Sequence, residues 1–236
     1  MPLSESMKPI VLFDFDGTIT QDDTNVKLLE AFGNEANREI EKAFISGKMS
    51  SMQAMKEHFK HLDLSEHHMK RFMLKTIRVD PSFKPFSEKL KSAGIPQAVV
   101  SGGFENVVRW LFEREHIEQD IPIYANRIHF NETVTLMFYH EHDSIDCAFS
   151  PCGNCKKTHI ENYQNQGHTV VFIGDGLTDR CAAHQADILF AKDALADYCV
   201  QEGIEYYPFE TFTDVDKQLK ALGLFDTHQT KKEDKR

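Results

Sequence analysis

Short apolar runs, each stopping at polar or glycine residues, alternate along this chain with stretches of helical periodicity. Ile10-Val-Leu-Phe-Asp14, Gln97-Ala-Val-Val-Ser101 and Thr169-Val-Val-Phe-Ile173 are apolar on successive positions. That is the pattern of strands buried on both faces of a parallel sheet. Ile188-Leu-Phe-Ala191 predicts a fourth strand and Ile121-Pro-Ile-Tyr124 a fifth. Between them, Phe104, Val107, Val108, Leu111 and Phe112 fall on one helical face, as do Phe83, Phe86 and Leu90 ahead of a terminating Gly94. Alternating strands and helices predict an α/β domain with a parallel sheet.

The alternation lapses after the first strand. From Thr24 to Val79 there is no strand pattern, only amphipathic sets such as Met52, Met55, Phe59, Leu62 and then Met69, Phe72, Met73, Ile77. This is too much helix for a single crossover. It predicts a core over residues 1–20 and 80–227 with a small helical cap over 21–79. Between Arg127 and Pro151 the alternation of Val134, Leu136 and Phe138 predicts a β-hairpin, and the polar stretch 228–236 a frayed tail.

Composition narrows the function classes. The 37 acidic residues outnumber the 27 basic ones, for a net charge of −10. That balance disfavours nucleic acid and membrane surfaces as partners. It also means that an anionic ligand needs local cations. An odd count of five cysteines, Cys147, Cys152, Cys155, Cys181 and Cys199, with no apolar leader in Met1–Lys8, points to a reducing cytoplasm.

The chemistry gathers where the strands stop, since open α/β sheets bind ligands beyond the carboxyl ends of their strands. Asp14 and Asp16 flank Phe15 and precede Gly17 and Thr18. Close carboxylates repel unless a cation compensates them, and Mg²⁺ is held by such oxygen ligands together with phosphate. Aspartate also attacks phosphorus to give an acyl phosphate. Taken alone, Asp-Gly after a strand reads equally as a solvated turn. Ser101-Gly102-Gly103 offers a hydroxyl and open amides before a helix, or simply a helix cap. Gly174-Asp175-Gly176 with Asp179 adds two carboxylates, and Lys156 a cation to offset phosphate.

In this order and spacing the motifs resemble the haloacid dehalogenase-like phosphatases, over roughly residues 10–200. Asp14-Phe-Asp-Gly-Thr-Ile-Thr20 is similar to the family's DxDGT motif, Ser101 to the second, Lys156 to the third, and Gly174-Asp175 with Asp179 to the fourth. The resemblance implies a Rossmann-like core and a Mg²⁺ cofactor. It implies Asp14 as nucleophile and metal ligand, and Asp16 as general acid and base with its carbonyl on the metal. Asp175 would complete the metal site with Asp179 in support. Thr18, Ser101, Gly102 and Lys156 would hold the phosphate. The helical insert is similar to the phosphoserine-phosphatase-like branch, in which Asp22 or Asp23 occupies the place of an acidic substrate contact, although either reads equally as the start of a helix of the insert.

Cys152-Gly-Asn-Cys-Lys156, the Ser101-Gly-Gly103 turn, Leu189-Phe-Ala-Lys-Asp193 and the hairpin resemble the methionine-salvage phosphatases acting on 2-hydroxy-3-keto-5-methylthiopentenyl-1-phosphate. Phosphoserine, phosphocholine and phosphoethanolamine stay open as alternative substrates. Phosphate transfer to a second substrate and a non-catalytic phosphometabolite-binding role stay open as alternative classes. Thr178 stands where the family commonly has Asn, and Arg180-Cys-Ala-Ala183 departs from the Cys-Pro of the eukaryotic phosphocholine group. Cys147, Cys152 and Cys155 with His140, His142 or His159 allow a structural zinc, although one Cys-x₂-Cys is half the usual pattern.

Overall fold

The computed structural model describes residues 8–140 and 150–225. Among these residues seven strands form one sheet: β1 Pro9–Phe13, β2 Gln97–Phe104, β3 Ile123–Phe130, β4 Val134–Met137, β5 Thr169–Gly174, β6 Ile188–Ala191 and β7 Tyr207–Pro208, in the order β4-β3-β2-β1-β5-β6-β7. The pairs β1–β5, β2–β3, β5–β6 and β6–β7 are parallel and β3–β4 is antiparallel. All five residues of β1 are buried, as its unbroken apolar run predicts. The predicted hairpin is present as β3–β4, from Arg127↔Met137 to Phe130↔Val134. Residues 141–149 of that stretch and the predicted tail lie outside the described residues.

Helices α1 Thr24–Phe32, α2 Glu35–Ile45, α3 Ser51–Lys60 and α4 Glu66–Thr76 fill the predicted insert. The remaining helices are α5 Phe83–Ser92, α6 Glu105–Arg114, α7 Lys156–Asn165, α8 Arg180–Ala183, α9 Asp193–Glu202 and α10 Phe212–Ala221. Among the described residues, no helix is long and apolar enough to cross a membrane.

Two compact units divide the chain. The first comprises Met1–Asp14, Asp80–Ala98 and Lys157–Arg236. Its core is aromatic: Phe13 meets Phe83 and Phe212 edge-on at 5.2 and 5.7 Å, and Phe86 stacks on Phe212. Each such buried ring contributes roughly 1.5–3 kcal/mol from burial, and together they fix the end of β1 from which Asp14 emerges. The second unit comprises Phe15–Val79 and Val99–Lys156, so the helical insert clusters with α6 and the β3–β4 hairpin. Here Phe15 packs on Phe112, Phe59 on Phe104 and Phe32 on Phe72.

The sequence pattern ends β2 at Ser101, but the strand runs on to Phe104 and α6 starts only at Glu105. Ser101 therefore caps no helix. The register of β2 on β3 slips between Val100 and Phe104, which accommodates the Gly-Gly pair inside the strand.

Glu105, buried at the start of α6, receives Arg109 Nε at 2.7 Å on Oε1 and Arg127 on Oε2. Loss of hydration pushes its pKa up, but the hydrogen bonds and charges of Arg127 and Arg109 outweigh it and leave it below the usual value of 4.5. A depressed folded pKa contributes stability above the unfolded value, and that contribution disappears as pH falls through the folded one. Glu105→Gln is expected to cost about 1 kcal/mol at pH 7, discounted because both arginines are half exposed. That corresponds to about 2–4 °C in melting temperature. The gap between the two proteins should narrow as pH falls below 4.5 and close once the folded carboxyl is protonated, read by thermal melts across pH.

Candidate active site

In the first unit, three aspartates converge. Asp14 follows β1 directly, and its N–H donates to Ile173 O at 2.9 Å, extending the β1–β5 ladder by one residue. Beyond β5 the chain passes through Asp175 and Gly176 into a single 3₁₀ turn, Leu177–Asp179. The start of α9 pins this turn, since Lys192 N–H donates to Gly174 O at 3.3 Å and Leu195 N–H to Asp175 O at 2.8 Å. Asp179 is fully buried, and its Oδ2 accepts from Asp175 N–H at 3.1 Å and Gly176 N–H at 3.0 Å. Asp14, Asp175 and Asp179 each offer one carboxylate oxygen, and the three lie within 4.8 Å of one another.

The glycine before this turn is required by space. A Cβ on Gly174 would stand 2.7 Å from Asp179 Oδ2 and 2.8 Å from the Phe172 ring. Asp14 and Asp179 are buried and Asp175 half-buried, so the cluster carries costly negative charge away from water. Three oxygen donors at this spacing suit a hard divalent cation such as Mg²⁺. Among the described residues this is the one group of three or more His, Cys, Asp or Glu side chains with metal-ligand spacing.

In the second unit a hydrogen-bond network surrounds Asp16. Gly17, at φ +81°, turns the chain, and Thr18 and Thr20 N–H both donate back to Phe15 O, at 3.3 and 3.0 Å. Asp16 Oδ1 accepts from Thr24 N–H at 3.1 Å and from the Thr24 hydroxyl, while Oδ2 accepts from Ser101 Oγ at 3.2 Å. Loss of hydration lifts the Asp16 carboxyl above the ordinary carboxylate range, and the bonds from Thr24 and Ser101 and the charge of Lys156 oppose that rise. Lys156, the first residue of α7, is buried. A Cβ on Gly103 would come 2.5 Å from Asp16 Oδ2, so this neighbour too must be glycine.

Of the residues singled out in the sequence, Asp14, Asp175 and Asp179 meet in one cluster, and Asp16, Ser101 and Lys156 interact in the other. Thr18 is buried in the turn between Asp16 and Thr20. Gly102 lies in the irregular end of β2, where its carbonyl accepts from Asn126 Nδ2 at 2.7 Å. Asp23 Oδ1 caps α1, accepting from Asn25 and Val26 N–H at 2.8 and 2.9 Å. Asp22 lies 3.8 Å from Lys27 Nζ.

Thr24, Asn126 and Asn154 carry no functional signal in the sequence, and Gly103 stands out there as an open amide beside Ser101 and not as a neighbour of Asp16. Cys147 and His142 of the zinc reading lie outside the described residues. Of the others, Cys155 is a buried thiol and His140 Nδ1 accepts from its N–H at 3.0 Å.

A family model described as haloacid dehalogenase-like hydrolase matches residues 11–184. A curated relative from Bacillus cereus (strain B4264), named 2-hydroxy-3-keto-5-methylthiopentenyl-1-phosphate phosphatase, is 33% identical over 214 residues, 90% of this chain and 96% of its own. A relative of the same name from Bacillus thuringiensis (strain Al Hakam) is 32% identical over the same shares. Among solved structures, a phospho-aspartyl intermediate analogue of phosphoserine phosphatase shares the fold at TM-score 0.65 and 22% identity, covering 91% of this chain and 99% of that one. A substrate-bound phosphoserine phosphatase shares it at TM-score 0.64 and 23% identity, covering 91% and 98%. With the family model spanning most of the chain and carrying both aspartate clusters, this protein belongs to the haloacid dehalogenase-like hydrolases.

Proposed function

We propose that this hydrolase is a Mg²⁺-dependent phosphomonoesterase that works through an aspartyl phosphate on Asp14. Its substrate on this reading is a small phosphorylated metabolite, foremost 2-hydroxy-3-keto-5-methylthiopentenyl-1-phosphate. The observation that carries the reading is the trio of carboxylate oxygens from Asp14, Asp175 and Asp179, two of them on buried residues. Such a trio is hard to sustain without a cation. Asp14, Asp175 and the Asp16 carbonyl would hold the metal with Asp179 behind them, and the bound ion would supply positive charge against the phosphoryl oxygens.

A carboxylate oxygen of Asp14 attacks phosphorus, forming a new P–O bond as the bond to the leaving oxygen breaks. Asp16 carries the proton that the leaving oxygen takes up, and the upward push that burial gives its carboxyl favours the protonated form. The Asp16 carboxylate then takes a proton from water, which attacks the same phosphorus and frees inorganic phosphate and Asp14. Ser101, Gly102, Thr18 and Lys156 hold the phosphoryl oxygens. The order of groups follows the chain, since Asp14 and Asp16 are separated by Phe15 alone. The helical insert over residues 21–79 acts as the cap that selects the substrate.

The substrate reading draws on the two Bacillus relatives, alike over 90% of this chain. Chelation with EDTA is expected to stop hydrolysis of p-nitrophenyl phosphate and Mg²⁺ to restore it; turnover indifferent to EDTA would remove the metal from the account. In a panel of monoesters, the salvage ester should show the highest kcat/KM. A clear preference for phosphoserine or phosphocholine would replace it as substrate while leaving the chemistry intact.

A further inference from the structure

We propose that Asn154 and Asn126 are positioning residues for phosphate binding, holding the Ser101 and Gly102 carbonyls so that the Gly102 N–H faces a phosphoryl oxygen. The inference rests on the phosphatase reading above and adds to it two residues that touch no reacting atom.

The slip in β2 creates the need. Val100 pairs with Tyr124 and Phe104 with Asn126, so four steps along β2 span two along β3. Ser101, Gly102 and Gly103 have no Cα partners in that ladder. Buried carbonyls outside a ladder are costly unless another donor reaches them. Asn154 Nδ2 lies 2.8 Å from Ser101 O and 2.8 Å from Tyr124 O, so its amide bridges the two strands where the ladder opens. Asn126 Nδ2 reaches Gly102 O at 2.7 Å, and its Oδ1 accepts Tyr139 N–H at 3.1 Å. Both side chains are essentially inaccessible, at 0% for Asn126 and 3% for Asn154.

Fixing a carbonyl fixes the amide on the other side of the same peptide, because C=O and N–H of a planar trans unit point in opposite directions. Asn154 on Ser101 O therefore aims the Gly102 N–H away from itself. Asn126 on Gly102 O aims the Gly103 N–H, which lands on Ser101 Oγ at 2.9 Å and orients that hydroxyl toward Asp16. Asn154 also precedes Lys156 by two residues. One side-chain amide thus ties the start of the lysine's helix to the serine's carbonyl, so the two proposed phosphate ligands share a brace.

The test is calorimetric titration with inorganic phosphate in Mg²⁺, alongside kinetics on p-nitrophenyl phosphate. Asn154→Ala is expected to weaken phosphate binding about tenfold or more and to raise KM more than it lowers kcat. Asn37→Ala is the comparison: that buried amide donates to His58 O at 3.1 Å within the helical insert. It should lose stability yet bind phosphate as the parent does. Unchanged affinity in Asn154→Ala, or equal weakening in Asn37→Ala, would overturn the proposal.

Should Asn154→Ala not fold, the unaltered protein still decides. Its Gly102 amide proton resonance is expected to shift on saturation with phosphate, and an unmoved resonance rejects the inference. Hydrolysis with an unmoved Gly102 amide sinks the inference alone. Phosphate binding with a shifted Gly102 amide but no hydrolysis of any ester sinks the phosphatase reading instead.

Discussion

Asp14→Asn is expected to lower Mg²⁺-dependent hydrolysis of p-nitrophenyl phosphate by about a thousandfold or more, with no loss of fold. The amide keeps the shape of the side chain but cannot form the acyl phosphate. The stability effect should run the other way. In EDTA the parent holds three carboxylates whose oxygens lie within 4.8 Å of one another, so removing one charge relieves repulsion. The variant should therefore melt no lower than the parent without metal, and gain less than the parent when Mg²⁺ is added. Steady-state kinetics with paired melts in EDTA and Mg²⁺ check both halves. Substantial turnover in the variant would mean that another group attacks phosphorus.

Asp16→Asn should behave differently. Its carboxylate accepts from Thr24 and Ser101, and an amide retains one acceptor oxygen for them but carries no transferable proton. Turnover is expected to fall by about a hundredfold to ten-thousandfold. With an activated leaving group the second half-reaction suffers more, because p-nitrophenolate leaves without protonation whereas the attacking water still needs a base. Phosphoenzyme should therefore accumulate during turnover, seen as a burst of p-nitrophenol in rapid mixing. An unaltered steady-state rate would take the proton-transfer role away from Asp16.

Much of the scaffold is legible in the sequence because buried parallel strands are continuous apolar runs. β1 and β5 are readable for that reason, and Asp14 and Asp175 become conspicuous as acids set just beyond them. The helical insert is readable from its amphipathic sets. What escapes is whatever depends on partners distant in the chain. Ser101 reads as the end of a strand, yet β2 continues to Phe104, and amides from Asn154 and Asn126 reach its Ser101 and Gly102 carbonyls.

Cys152-Gly-Asn-Cys155 reads as half of a metal site, while the residue in it that reaches the Ser101 carbonyl is Asn154. Thr24 reads as the first residue of a helix, and only tertiary structure puts its N–H and hydroxyl on Asp16. Asp23 is ambiguous between capping and substrate contact, and its two short bonds to Asn25 and Val26 show the capping. Side-chain amides and hydroxyls have no periodicity of their own, so their work appears only once the backbone is folded.

Covalent attachment of phosphorus to Asp14 is read by borohydride trapping. Asp16→Asn is mixed with p-nitrophenyl phosphate and Mg²⁺, quenched, reduced with borohydride and digested for mass spectrometry. An acyl phosphate is reduced at its carbonyl, so residue 14 is predicted to be recovered as homoserine, dependent on substrate and metal. Hydrolysis that proceeds with residue 14 recovered only as aspartate, or with the reduced residue elsewhere, would contradict the account.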